Sequence, residues 1–227
     1  MPGHKTVGII GGLGVGATVI YYEKIVAQCV AQGFVPKLLM SHANAPTLLA
    51  HVTAGRLGEM AAYLAELCEA LTKAGAEFLV IPAITPHICI DDLRQRVTAP
   101  FVDILAMTAD EIRKRKLQRI ALFGTRFSTE SRLFGRLDGF DVVRPRPEEV
   151  DDIHRIYLEL AQKGLCTPEE EARLRELGQT LCRRDGVEAI VLAGTDLNLI
   201  FTEANAGFPA LDCAQAHIDA IVERMAG

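Results

Sequence analysis

The stretch Lys5-Thr6-Val7-Gly8-Ile9-Ile10-Gly11-Gly12 decides the fold because it is written twice, returning as Gln118-Arg119-Ile120-Ala121-Leu122-Phe123-Gly124-Thr125. Two further segments return in the same order. Glu77-Phe78-Leu79-Val80-Ile81-Pro82-Ala83 recurs as Glu188-Ala189-Ile190-Val191-Leu192-Ala193-Gly194, and Pro100-Phe101-Val102-Asp103 as Pro209-Ala210-Leu211-Asp212. The offsets of 113, 111 and 109 residues are too even for chance likeness among buried strands. Two equivalent lobes are predicted, with the loops that end equivalent strands opposed across an interlobe cleft.

Outward from these segments, short runs rich in Val, Ile and Leu alternate with longer stretches of helical period, the pattern of parallel strands covered on both faces by helices. The first lobe is predicted to hold strands at Thr6–Ile10, Leu38–Ser41, Phe78–Pro82 and Phe101–Asp103. Its helices fall at Thr18–Gln32, Glu59–Ala74, closed by Gly75 as a C-cap, and Asp91–Val97, and Leu105–Lys116 crosses to the second lobe. There, strands are expected at Arg119–Phe123, Asp141–Val143 and Ala189–Leu192, and helices near Ser128–Leu137, Val150–Lys163 and Pro168–Asp185. A last strand at Ala210–Leu211 and a helix at Ala214–Met225 are expected to pack back on the first lobe. The lobes then run over 1–103 plus 212–227 and over 104–211.

Composition narrows the partners. With 23% charged and 49% apolar residues in 227, the chain has enough apolar side chains to bury a real core. A net charge of −5 without a long basic run argues against nucleic acid, whose binding relies on clustered Lys and Arg. The cluster Arg113-Lys114-Arg115-Lys116 sits at an expected helix end, where cations offset the helix dipole. Six cysteines without a Cys-x-x-Cys pair read as a reduced protein. No leader-like opening and no apolar run of about 20 residues point to secretion or a membrane, so a cytoplasmic location is expected.

Ligands of open parallel sheets sit beyond the carboxyl ends of the strands, which directs attention to loops 11–16, 42–47, 83–89, 124–129 and 194–198. Gly11-Gly12-Leu13-Gly14-Val15-Gly16-Ala17 has dinucleotide-like spacing, but Leu38–His42 offers no acidic residue for a ribose. What remains is either a tight structural turn or a loop whose amides, at Gly12, Leu13 and Gly14, bind a small carboxylate. No His, Cys or carboxylate spacing suggests a metal site.

The loops Pro82-Ala83-Ile84-Thr85-Pro86-His87 and Ala193-Gly194-Thr195-Asp196-Leu197-Asn198 bring out a family likeness. With the Gly-Gly-x-Gly start, Asn44-Ala45-Pro46, Gly124-Thr125-Arg126-Phe127-Ser128 and Phe208-Pro209, the whole chain resembles the aspartate/glutamate racemase superfamily. The resemblance implies two pseudo-symmetric α/β lobes, each a four-stranded parallel sheet flanked by helices. It also implies isomerase chemistry of amino-acid metabolism, with no cofactor. Family loops commonly read Pro-Cys-Asn-Thr-x-His and Gly-Cys-Thr-Glu, with two cysteines that remove and return the α-proton from opposite faces. Here Ala83 and Gly194 stand at those positions, Ile84 replaces the asparagine, and Asp196 keeps the charge of the glutamate. Neither Ala83 nor Gly194 can carry a proton.

Candidates for acid–base chemistry are therefore Asp196 and His87, with Cys89 and Cys213 behind them. Asp196 has the alternative of capping the helix that follows, His87 that of an oriented structural histidine, and Cys89 that of a small buried hydrophobe. Substrate-binding candidates are Gly12, Leu13, Gly14, Asn44, Ala83, Ile84, Thr85, Thr125, Arg126, Ser128, Gly194 and Thr195, and Arg126 reads equally as a surface residue. The expected partner is a small carboxylate or amino-acid substrate, and a homodimer is left open. A cofactor-free lyase or decarboxylase and a non-catalytic carboxylate binder are the competing functions.

Overall fold

The computed structural model describes residues 4–227, in two compact units. One runs to Ile104 and resumes at His217–Gly227, and the other is Leu105–Ala216. In chain order the first contains β1 (Thr6–Gly11), α1 (Val15–Ala31), β2 (Lys37–His42), α2 (Ala45–Thr53), α3 (Leu57–Lys73), β3 (Phe78–Val80) and α4 (Ile90–Arg96). The strands are parallel in the order β2-β1-β3. β1 is buried along its length after Thr6, as a central parallel strand covered by helices must be. A Cβ on Gly8 would stand 2.8 Å from Ala76 Cβ and from Leu79 Cδ2, so β1 takes a glycine here to let the α3–β3 connection close on it. Gly75 ends α3 with φ +107, as a C-terminal glycine cap should.

This sheet has three strands and not the four expected. Phe101–Asp103 contributes one parallel bridge, Phe101 to Leu79. α5 (Ile104–Lys114) begins immediately after Asp103, just as a helix at Cys213–Ala226 follows the strand-forming Ala210–Asp212, so the length of the segment does not explain the missing strand. The second unit contains β4 (Arg119–Gly124), α6 (Arg126–Glu130), β5 (Asp141–Val143), α7 (Pro147–Lys163), α8 (Pro168–Asp185), β6 (Ala189–Ala193) and β7 (Ala210–Asp212). Its parallel order is β5-β4-β6-β7, so the expected strand at 210–211 extends this sheet beside β6 and does not return to the first unit. The final helix, α9 (Cys213–Ala226), counts with the first unit from His217 onward. The first three strands of each sheet share one pattern, β2-β1-β3 and β5-β4-β6.

α6 stops at Glu130, far short of the helix expected to Leu137, because Arg132, Leu133 and Phe134 turn left-handed at φ +50, +51 and +55. That turn leaves Leu133 and Leu137 fully buried. α8 is closed at its start by a reciprocal pair: the Glu170 amide donates to Thr167 Oγ1 at 3.2 Å and the Thr167 amide to Glu170 Oε2 at 3.1 Å. At the C-terminal end of α5, Arg113 pairs with Asp110, Lys114 with Glu111, and Arg115 with Glu203 through two bonds of 2.8 and 2.9 Å.

Candidate functional site

In the first unit, Gly12 leaves β1 at φ +86, a conformation glycine adopts without strain. Its amide donates to Thr18 Oγ1 at 3.1 Å, and that hydroxyl donates to the Gly14 carbonyl at 2.8 Å. Part of the expected anion loop is thus closed by the first turn of α1. Leu13 and Gly14 are half-buried beside it. Asn44 caps α2, accepting from the Thr47 amide at 3.0 Å, while its own amide donates to Tyr63 Oη at 2.7 Å. Gly12, His42, Asn44 and Tyr63 line an open depression of about 510 Å³. The structure therefore brings two sequence candidates, Gly12 and Asn44, to one concavity.

The loop after β3 carries Ala83, Ile84, Thr85 and His87 into a single short 3₁₀ turn, Thr85–Cys89. Ala83 and Ile84 are buried and Thr85 is half-buried. His87 is 2% exposed, and its Nδ1 lies 2.8 Å from the Ala83 carbonyl, to which an Nδ1–H donates. Its Nε2 lies 3.8 Å from Asp103 Oδ1 without a hydrogen bond, while Asp103 Oδ2 accepts from Arg94 at 2.8 Å. Burial drives the His87 pKa down, and the Asp103 charge only partly offsets this. A second buried histidine, His217, stands between Tyr21 Oη at 3.0 Å and the Val102 carbonyl at 2.9 Å. Burial pushes its pKa down to about 3, so it is neutral.

In the second unit, Thr125 caps α6: its Oγ1 accepts from the Ser128 amide at 3.0 Å and lies at the same distance from Ser128 Oγ. Arg126 turns outward, pairing with Asp151, and its amide donates to His154 Nδ1 at 3.1 Å. The loop after β6 forms the other 3₁₀ turn, Thr195–Leu199. Gly194 holds the cap position of this turn and Asp196 lies inside it. Thr195 and Asp196 are each 2% exposed. Tyr157 of α7 donates to Asp196 Oδ2 across a long 3.4 Å. At the same turn, Asn198 donates to Asp212, whose other oxygen accepts the Ala214 amide at 2.9 Å at the start of α9.

The repeat offsets map His87 onto Asn198 and Asp103 onto Asp212, so each unit pairs a side chain of its strand-end turn with the aspartate of the following segment. Asp103 was legible through this correspondence, although motif reading passed over it. Tyr157 was not, because nothing near it in sequence ties a mid-helix tyrosine to loop 194–198. Cys89 donates to the Pro86 carbonyl at 3.3 Å and Cys213 to the Leu192 carbonyl at 2.6 Å. Burial pushes the first thiol up to about 12 and the second well above its ordinary value. Among the described residues no group of three or more His, Cys, Asp or Glu is placed to hold a metal ion, and no helix is long and apolar enough to cross a membrane.

Parallel α/β units with buried turns at their strand ends place the chain with the solved structures of the racemase fold. A crystal structure of PH1733, an aspartate racemase homologue from Pyrococcus horikoshii OT3, superposes with a TM-score of 0.81 at 28% identity, covering 98% of this chain and 100% of that one. A Yersinia pestis structure assigned provisionally to the Asp/Glu racemases reaches a TM-score of 0.86 at 25% identity over the same shares. The broad-specificity amino-acid racemase RacX of Bacillus subtilis is 23% identical over 91% of this chain and 92% of its own length. The chain belongs to the Asp/Glu/hydantoin racemase family, whose profile matches residues 10–221.

Proposed function

We propose that this protein acts on a small amino-acid carboxylate by cofactor-free proton transfer at the α-carbon, and that it does so without the two-thiol route. Ala83 and Gly194 occupy the positions that the family resemblance gives to cysteines. The observation that carries the reading is Asp196: a carboxylate 2% exposed, one turn beyond β6, adjacent to Gly194 and Thr195 and within reach of the Tyr157 hydroxyl. A desolvated carboxylate is suited to accept and return a proton. In the same unit as Asp196, Thr125, Ser128 and Thr195 are the hydroxyl candidates for holding the substrate carboxylate.

A second reading is favoured by His87. Its Nδ1 is engaged by the Ala83 carbonyl and burial holds it neutral, which suits it poorly for carrying a second proton. One-sided protonation is what a cofactor-free lyase or decarboxylase needs. Incubation with D- and L-aspartate and glutamate in D₂O separates the readings. Deuterium at the α-carbon supports the proton-transfer reading, and a change of substrate mass with loss of CO₂ or cleavage supports the second. Carboxylate binding in calorimetry with neither reaction leaves a non-catalytic binder.

A further inference from the structure

Gly194 has φ −153 and ψ 115, extended backbone that any residue adopts, so nothing in the main chain calls for glycine there. The demand comes from α7. A Cβ on Gly194 would lie 2.3 Å from Tyr157 Cε2, 2.6 Å from Cζ and 2.9 Å from Cδ2, inside the distance real carbon contacts allow. The ring cannot easily yield, since Tyr157 is 8% exposed within the core built by Ile153, Ile156, Leu160 and Phe201. The volume that a side chain at 194 would occupy is already filled by an aromatic ring from a different element. The hydroxyl, one bond beyond Cζ, is the group that reaches Asp196 Oδ2. The corresponding loop of the first unit differs: Ala83 carries its Cβ, and the mapped partner of Asp196 is Thr85.

We propose that Tyr157 is the positioning residue of the second strand-end loop: its ring takes the place of a side chain at 194, and its hydroxyl orients the Asp196 carboxylate. The second part rests on the reading of Asp196 as the acid–base group. Burial, and then the Asp196 charge, raise the Tyr157 pKa well above its ordinary value, so the phenol stays a proton-bearing donor across the working range. A donor facing the carboxylate favours its ionised form, and removing the donor should make the carboxylate harder to ionise. A substrate carbon near this turn would then meet a phenol–carboxylate pair where a thiol would otherwise stand.

Two measurements test this without turnover. In thermal melts, Gly194→Ala should lower Tm by roughly 3–10 °C, the usual scale of overpacking in a chain of this size. The same change in a Tyr157→Leu background should cost less than about 1 °C, because the obstructing ring is gone. Failure of Gly194→Ala to fold, with recovery in the double variant, counts as the same result. Equal losses in both backgrounds would overturn the packing claim. In carbon-13 titration of the Asp196 carboxyl, Tyr157→Phe should raise the midpoint by about one pH unit, and an unchanged midpoint would overturn the orienting role. If aspartate or glutamate exchanges its α-hydrogen in D₂O, the acid limb of that pH profile should move by the same amount in Tyr157→Phe. Absence of exchange would count against the proposed function alone, since the melts and the titration remain readable.

Discussion

At the residue scale, Asp196 carries the sharpest expectation. Asp196→Asn keeps the shape of the side chain and the acceptor for Tyr157 but cannot carry a proton. It should reduce α-hydrogen exchange at least 100-fold while moving Tm by no more than about 2 °C. An active Asp196→Asn variant would exclude the residue and transfer attention to His87. The thiols make a second expectation. All six cysteines have pKa values raised by burial, Cys68 and Cys89 to about 12 and Cys166 to about 11. Thiolate is the nucleophilic form, so iodoacetamide at neutral pH should leave the activity intact; rapid inactivation would show a working thiol. Strand-end positions were legible because duplication marks them twice. Their partners were not, since Tyr157 and Arg94 come from helices with no motif of their own.

At the scale of elements, β1, β4 and β6 were readable because a strand buried on both faces needs an unbroken apolar run. α2 was missed: Ala45–Thr53 is short, carries Pro46 and has only Leu48 buried, so its period is faint. Its signal was the cap, Asn44 two residues before a proline. The duplicated Pro100–Asp103 segment suggested a fourth strand but makes a single bridge, whereas Pro209–Asp212 keeps its strand, a difference that duplication could not reveal. The end of α6 was hidden because no glycine announces a left-handed turn at 132–134. Non-glycine residues in that conformation cost about 1–2 kcal/mol each, and Asn tolerates it better. Arg132 is exposed, so Arg132→Asn should stabilise the protein by roughly 0.5–1 kcal/mol and raise Tm by about 1–4 °C. A lower Tm in the variant would count against strain at this turn.

At the scale of the whole molecule, the buried imidazoles set the response to acid. Burial lowers the pKa of both His87 and His217, the latter to about 3. Unfolding releases each to an ordinary value near 6.5, so the unfolded chain binds more protons as pH falls below that point. Their contribution is fully present above about pH 6.5 and declines as pH drops toward the folded values. Between about pH 6.5 and 5.5 ordinary carboxylates are still almost fully ionised, so the slope there belongs to the histidines, the half-buried His154 adding to it because burial lowers its pKa too. Urea unfolding should lose up to about 1.4 kcal/mol per pH unit for each of His87 and His217 in that window. A flat dependence would mean that they take up protons in the folded state. The ring of Tyr157 against Gly194 also constrains history: a lineage that exchanges glycine for a thiol-bearing residue at 194 keeps more of its stability if residue 157 shrinks first. Packing thus favours one order going out and the reverse order coming back, with glycine at 194 restored before the large ring at 157.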